Sequence, residues 1–177
     1  MSVNRSGTAI RRLPYLCALL LLAAACAKTP SEQLPLSSQM GIDLDRQTLA
    51  LREAETLQAK GQRVWCVPFA RNLSGIDIRG NAETWWSNAK DLYARGRQPA
   101  VGAVMAFGST GSMPMGHVAV VSEVVSPREV RVDHANWHRN QVSLRMAVID
   151  VSDRNDWSAV RVQSQPTAFG SVYPIDG

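Results

Sequence analysis

At 177 residues the chain has room for one compact domain with smaller additions, and not for two sizeable domains. Hydrophobic residues at 45% against 19% charged exclude a disordered chain. The formal charge of +4 falls to +1 once residues 1–25 are set aside, because that segment holds Arg5, Arg11 and Arg12 and no acid, leaving 16 Lys and Arg against 15 Asp and Glu. A folded part so nearly neutral excludes the basic face of a nucleic-acid binder.

Arg11 and Arg12 precede the apolar run Leu13 to Ala25, which ends in small residues. Charged, apolar and small residues in that order make a secretory signal, and the run is too short for a membrane span. It closes as Leu22-Ala23-Ala24-Ala25-Cys26, which resembles a bacterial lipobox with Ala23 where leucine is usual. In that reading residues 1–26 are a lipoprotein signal and Cys26 becomes the acylated first residue of a periplasmic, membrane-anchored protein. Cleavage after Ala25 or Ala27, giving a soluble exported protein, is the alternative. Residues 27–44, with Pro30, Pro35, Ser37, Ser38 and Gly41, read as a tether before a folded domain at 45–177. Cys17 and Cys26 belong to the signal, so Cys66 is the lone cysteine of the folded region. In an oxidising compartment it has no internal disulfide partner and is a thiol exposed to oxidation. A buried, inert cysteine is the alternative.

Residues 45–60 suit a helix capped by Asp45, with Ala50, Ala54 and Leu57 on one face and Gly61 at its end. Pro68 suits the first turn of a second helix that starts near Cys66 and carries Phe69 and Leu73. Gly75 and Gly80 break the pattern before a helix over Ala82–Leu92, with Trp85, Ala89 and Leu92 on one face. After Pro99 the period becomes two. Strands are expected at 101–106, 117–125, 130–137, 142–148 and 157–162, with 163–177 running over the surface. Helices followed by hairpin-linked strands give an α+β fold, N-terminal helices packed on an antiparallel sheet.

Cys66 at a helix start faces free N–H groups that favour its thiolate. The available bases are His117, His134 and His138. His117 opens a strand behind a glycine-containing loop, which places it at a sheet edge near the surface. In the next strand Val130, Val132, His134 and Asn136 share the core-facing side, and Asp133 points away. If the two strands pair, His134, held neutral, can accept a hydrogen bond from His117. A satisfied structural histidine is the alternative for His117.

The run Trp65-Cys66-Val67-Pro68-Phe69-Ala70-Arg71, then Trp85 and Ala89, Pro99-Ala-Val-Gly102, Gly116-His117-Val-Ala-Val-Val and Val132-Asp-His-Ala-Asn136-Trp137 resembles the CHAP domain, the cysteine, histidine-dependent amidohydrolase/peptidase family. The resemblance spans roughly residues 62–150. It implies a papain-like fold that cleaves peptidoglycan as an N-acetylmuramoyl-L-alanine amidase or a peptide endopeptidase. Cys66 is then the nucleophile, His117 its base, and backbone N–H groups at the helix start hold the oxyanion, with no metal or cofactor required. His134 stands where many CHAP domains carry glutamate; related NlpC-like endopeptidases use a Cys-His-His set. The residue that orients His117 is therefore open between His134 and Asn136.

Three other readings compete. Cys66, His117, His134 and His138 are zinc-ligand types. Trp65, Trp85, Trp86, Trp137 and Trp157 could line a non-catalytic wall-binding groove or pack a core. The same Cys-His pair could transfer an acyl group to an acceptor other than water. Arg71, Asp77 and Arg79 lie near Cys66 and could read charged peptide termini, or be solvated surface charge. Met113 and Met115, in the loop before His117, are placed to line or gate a cleft.

Overall fold

The computed structural model describes residues 41–177, so the expected signal segment, Cys26 and most of the tether lie outside the described residues. Helix α1 (Leu44–Ala59) is capped by Asp43 rather than Asp45, because the Asp43 carboxylate accepts from the Asp45 and Arg46 N–H groups at 3.0 and 3.1 Å. Its small residues Ala50 and Ala54 are buried, which lets α1 approach α2 (Cys66–Ser74) closely. Helix α2 buries Phe69, Ala70 and Leu73 along one face. It ends at Gly75, whose left-handed φ of 76° returns its N–H to the Arg71 carbonyl.

The helix expected to reach Leu92 is far shorter. Residues Ala82–Thr84 form a 3-10 turn, and α3 spans only Trp85–Asn88. Asp91 takes a left-handed φ of 64°, which no helix continues through, and Leu92 is exposed instead of sharing a face with the buried Trp85.

Six strands follow: β1 (Val104–Phe107), β2 (His117–Ser126), β3 (Glu129–Ala135), β4 (Val142–Asp150), β5 (Ala159–Gln165) and β6 (Ala168–Pro174). They form one antiparallel sheet in sequence order, β1 to β6. Thus the fold is α+β, helices first, as the element order implies. The chain does not run over the surface after 162, however. Strand β6 pairs with β5, and beyond it Ile175 bridges Phe107 while the Ala106 N–H donates to the Gly177 carbonyl at 2.8 Å. The sheet therefore curls until its last residues meet its first strand.

This closure creates two cores. One lies between the helices and the outer face of β2 and β3, where Val118, Val120 and Ala135 meet Phe69, Leu73 and Trp85. The other fills the inside of the curl with Phe107, Val121, Val132, Val148, Trp157 and Val160. Strand β2 is covered on both faces, which accounts for the unbroken apolar run Val118–Val121. Asp133, expected to point away from the core, is buried between the layers. It accepts from the Gln47 amide of α1 at 3.0 Å and from the Arg145 N–H at 2.7 Å, so helix and sheet share one satisfied carboxylate. Among the described residues no helix is long and apolar enough to cross a membrane.

Candidate active site

Trp65 adopts an extended backbone (φ −120°, ψ 150°) as the cap of α2, and Cys66 is the first helical residue. The first turn has few free donors. Pro68 has no N–H, and the Phe69 N–H already reaches the Trp65 carbonyl. The N–H groups of Cys66 and Val67 are left, and their dipoles, with that of the Val118 N–H from β2, act on the Cys66 thiol. These dipoles lower the thiol pKa, yet burial outweighs them and the net shift is upward. The helix start thus favours the thiolate, as its position implies, but burial outweighs that effect.

His117 begins β2, but β2 lies between β1 and β3 rather than at an edge, and the side chain is only 5% exposed. Gly116 sets it there. With φ at 64°, Gly116 packs so tightly that a Cβ would lie 2.7 Å from the Glu83 nitrogen and 2.8 Å from the Phe107 carbonyl oxygen. The neighbouring Met115 carbonyl accepts the Glu83 N–H at 3.0 Å, clamping the loop to the 3-10 turn.

The Nε2 of His117 lies 3.0 Å from Nδ1 of His134, and Nε2 of His134 lies 3.2 Å from the Met146 sulfur. These contacts fix the protons. A thioether only accepts, so His134 carries its hydrogen on Nε2 and leaves Nδ1 bare. His117 must then donate from its own Nε2, and its Nδ1 is the free base. Burial lowers the His117 pKa to about 3, and lowers that of His134 well below the ordinary value, with His117 and His138 adding repulsion. The resting pair is a neutral thiol and a neutral imidazole.

His134 thus takes the place beside His117 that was open between it and Asn136. Asn136 leaves β3 with a left-handed φ of 64° and turns its side chain elsewhere. Its carbonyl oxygen accepts from the Arg63 Nε at 3.1 Å and from the Asn140 N–H at 2.9 Å. Asn140 in turn accepts the Val64 N–H at 2.8 Å, so the loop after β3 pins the segment leading into Cys66.

Trp137 lids the histidines. Its ring stacks on His134 at 5.6 Å and meets His117 edge-on at 5.1 Å, and Tyr173 of β6 backs it at 5.0 Å. Cys66, His117, Asn136 and Trp137 all line one cleft of about 770 Å³, together with Met113 and Met115 from the loop before β2. Trp65 is half exposed at its rim, whereas Trp85 and Trp157 are core residues. Arg71 and Arg79 both pair with Asp77, away from the cleft lining. His138 is exposed, and among the described residues no three metal-ligating side chains gather.

Sequence reasoning did not single out Met146 or Tyr173. The alternation of 142–148 does put Met146 on a face with Val148, but nothing in it tells a thioether facing a histidine from one filling a core. Tyr173 lies in a stretch read as surface chain.

Comparison with curated proteins and with solved structures finds no match in either. The family model of the CHAP domain matches residues 58–136, the stretch that contains Cys66, His117, His134 and Asn136.

Proposed function

We propose that the protein is a cysteine hydrolase that cleaves amide bonds of peptidoglycan, on a papain-like arrangement of helix-borne cysteine and sheet-borne histidine. CHAP domains are in general hydrolase domains with peptidoglycan as substrate. The observation that supports the reading for this chain is that His117, held through His134 by Met146, lines the same cleft as Cys66.

Because thiol and imidazole rest neutral, proton transfer accompanies attack. The Cys66 S–H proton passes to Nδ1 of His117 as the sulfur bonds to the amide carbonyl carbon. The oxyanion forms beside the N–H groups of Cys66 and Val67, the two first-turn donors without helical partners. The C–N bond then breaks, and the amine leaves with the proton from His117. Water, deprotonated by His117, releases the acyl group from the thioester and restores the thiol. His134 stabilises the transient imidazolium by accepting from its Nε2–H, which suits a neutral partner fixed by Met146.

The same proposal takes the enzyme to be exported and periplasmic, anchored through an acylated Cys26, on the residue order at 11–26. Metabolic labelling with a fatty acid, lost in Cys26→Ser, tests the anchor. The activity is tested by incubating purified peptidoglycan with wild type, Cys66→Ala and Cys66→Ser and analysing released fragments by mass spectrometry. Release by wild type alone is expected. New lactyl or amine ends separate amidase from endopeptidase, and a non-water acceptor on the product reveals acyl transfer. Equal wall binding by all three without any fragment overturns catalysis in favour of a binding module.

A further inference from the structure

Among the charged side chains of the described residues, Arg63 alone lines the cleft; every other lining residue, the neutral His117 included, is uncharged. Seven arginines of the described residues hold a carboxylate: Arg46, Arg71, Arg79, Arg128, Arg131, Arg145 and Arg154. Arg63 does not. Its Nε donates to the Asn136 carbonyl oxygen at 3.1 Å, and its guanidinium lies over the Trp65 ring at 4.2 Å. One edge and one face are thereby fixed, while its two terminal amino groups engage no side chain among the described residues. A guanidinium oriented in this way and left with a free pair of donors matches the fork geometry of a carboxylate. Position adds to this: Trp65, under the guanidinium, directly precedes Cys66, and Arg63 and Cys66 line the same cleft.

We propose that Arg63 is a carboxylate-binding residue of the cleft, docking a free carboxylate of the substrate next to the amide to be cut, so that peptidoglycan stems with free carboxyl groups are preferred over amidated stems. The proposal rests on the peptidoglycan reading above, which supplies the substrate class. It also assigns Asn136 a task, since the asparagine holds Arg63 rather than His117.

Binding is measured by calorimetry on the full chain carrying Cys66→Ala, which removes turnover, with two muropeptides that differ only in a free or amidated stem carboxyl. A charged hydrogen-bonded pair predicts that the free acid binds about tenfold or more tighter. In Cys66→Ala/Arg63→Gln that preference is expected to vanish, and in Cys66→Ala/Arg63→Lys to survive in part, because charge without the fork is kept. Arg63 is exposed, so these variants should keep the parent melting temperature, checked beside each titration. Equal affinities in the parent, a preference untouched by Arg63→Gln, or no binding of either ligand overturns the proposal. The hydrolase reading falls or stands separately, on fragment release from whole peptidoglycan by the wild-type chain.

Discussion

Met146 is an uncharged side chain with a proton-bookkeeping task. Its sulfur accepts from His134 and so decides which nitrogen of His117 is bare. Met146→Leu keeps volume and apolarity, so stability should change by less than about 1.5 kcal/mol. Losing one weak acceptor is expected to lower kcat by roughly five- to tenfold, about 1 kcal/mol. Nitrogen-15 shifts of both histidines should then show mixed tautomers, and Met146→Gln, which restores an acceptor, should recover part of the rate. A shift-unchanged but slower enzyme would reduce Met146 to packing. Cys66 gives a second residue-scale expectation. Because burial raises its thiol above the ordinary 9.0, alkylation by iodoacetamide should be slow at neutral pH and climb through an apparent pKa higher than that value. A rate plateau at neutral pH would instead reveal a resident thiolate. From sequence, the positions of Cys66 and His117 at the starts of α2 and β2 were legible, one from Pro68 and the other from the alternation after it. Their protonation was not, since burial outweighs the local dipoles and comes from residues distant in the chain.

At the scale of elements, the loop and 3-10 turn around Gly116 decide where β2 begins. Gly116→Ala forces a β-carbon against backbone atoms of Glu83 and Phe107 at a positive φ. We expect a loss of about 2 kcal/mol in stability by denaturant unfolding. The drop in kcat/KM should be larger than unfolding explains, because the next residue is His117. Intact activity in a folded Gly116→Ala enzyme would show that β2 can shift without harm. The alternation of 117–125 and 130–137 revealed β2 and β3 and nearly their limits. It failed at both flanks for a common reason: short elements held by tertiary contact have little periodicity of their own. Helix α3 ends at Asn88 where a longer apolar pattern continued, and β6 escaped notice because its mixed, half-exposed residues gain their order by pairing with β5.

For the whole molecule, burial of two histidines in the sheet ties stability to pH. The His117 pKa falls from 6.5 to about 3 on folding, so between these values the unfolded chain takes up a proton that the folded chain refuses. Stability is complete above the unfolded value and declines as pH drops toward the folded one; the shift of His134 has the same sign. At about pH 5 His117 alone should cost roughly 2 kcal/mol, read as a falling melting temperature in a pH series. A melting temperature unchanged from about pH 7 to about pH 5 would contradict neutral burial. Synthesis order gives the curled sheet a further meaning. Cys66, His117, His134 and Trp137 all leave the ribosome before Tyr173, which braces the tryptophan, and before the Ile175 bridge that joins the ends of the sheet. A chain stopped at Gln165 is expected to show Trp137 fluorescence quenched readily by added iodide, and the chain that includes β6 to resist it. Until that strand has emerged and docked, the nascent polypeptide carries Cys66 and His117 beside a Trp137 that lacks its Tyr173 brace, so the cleft takes its final form only with the β5–β6 hairpin.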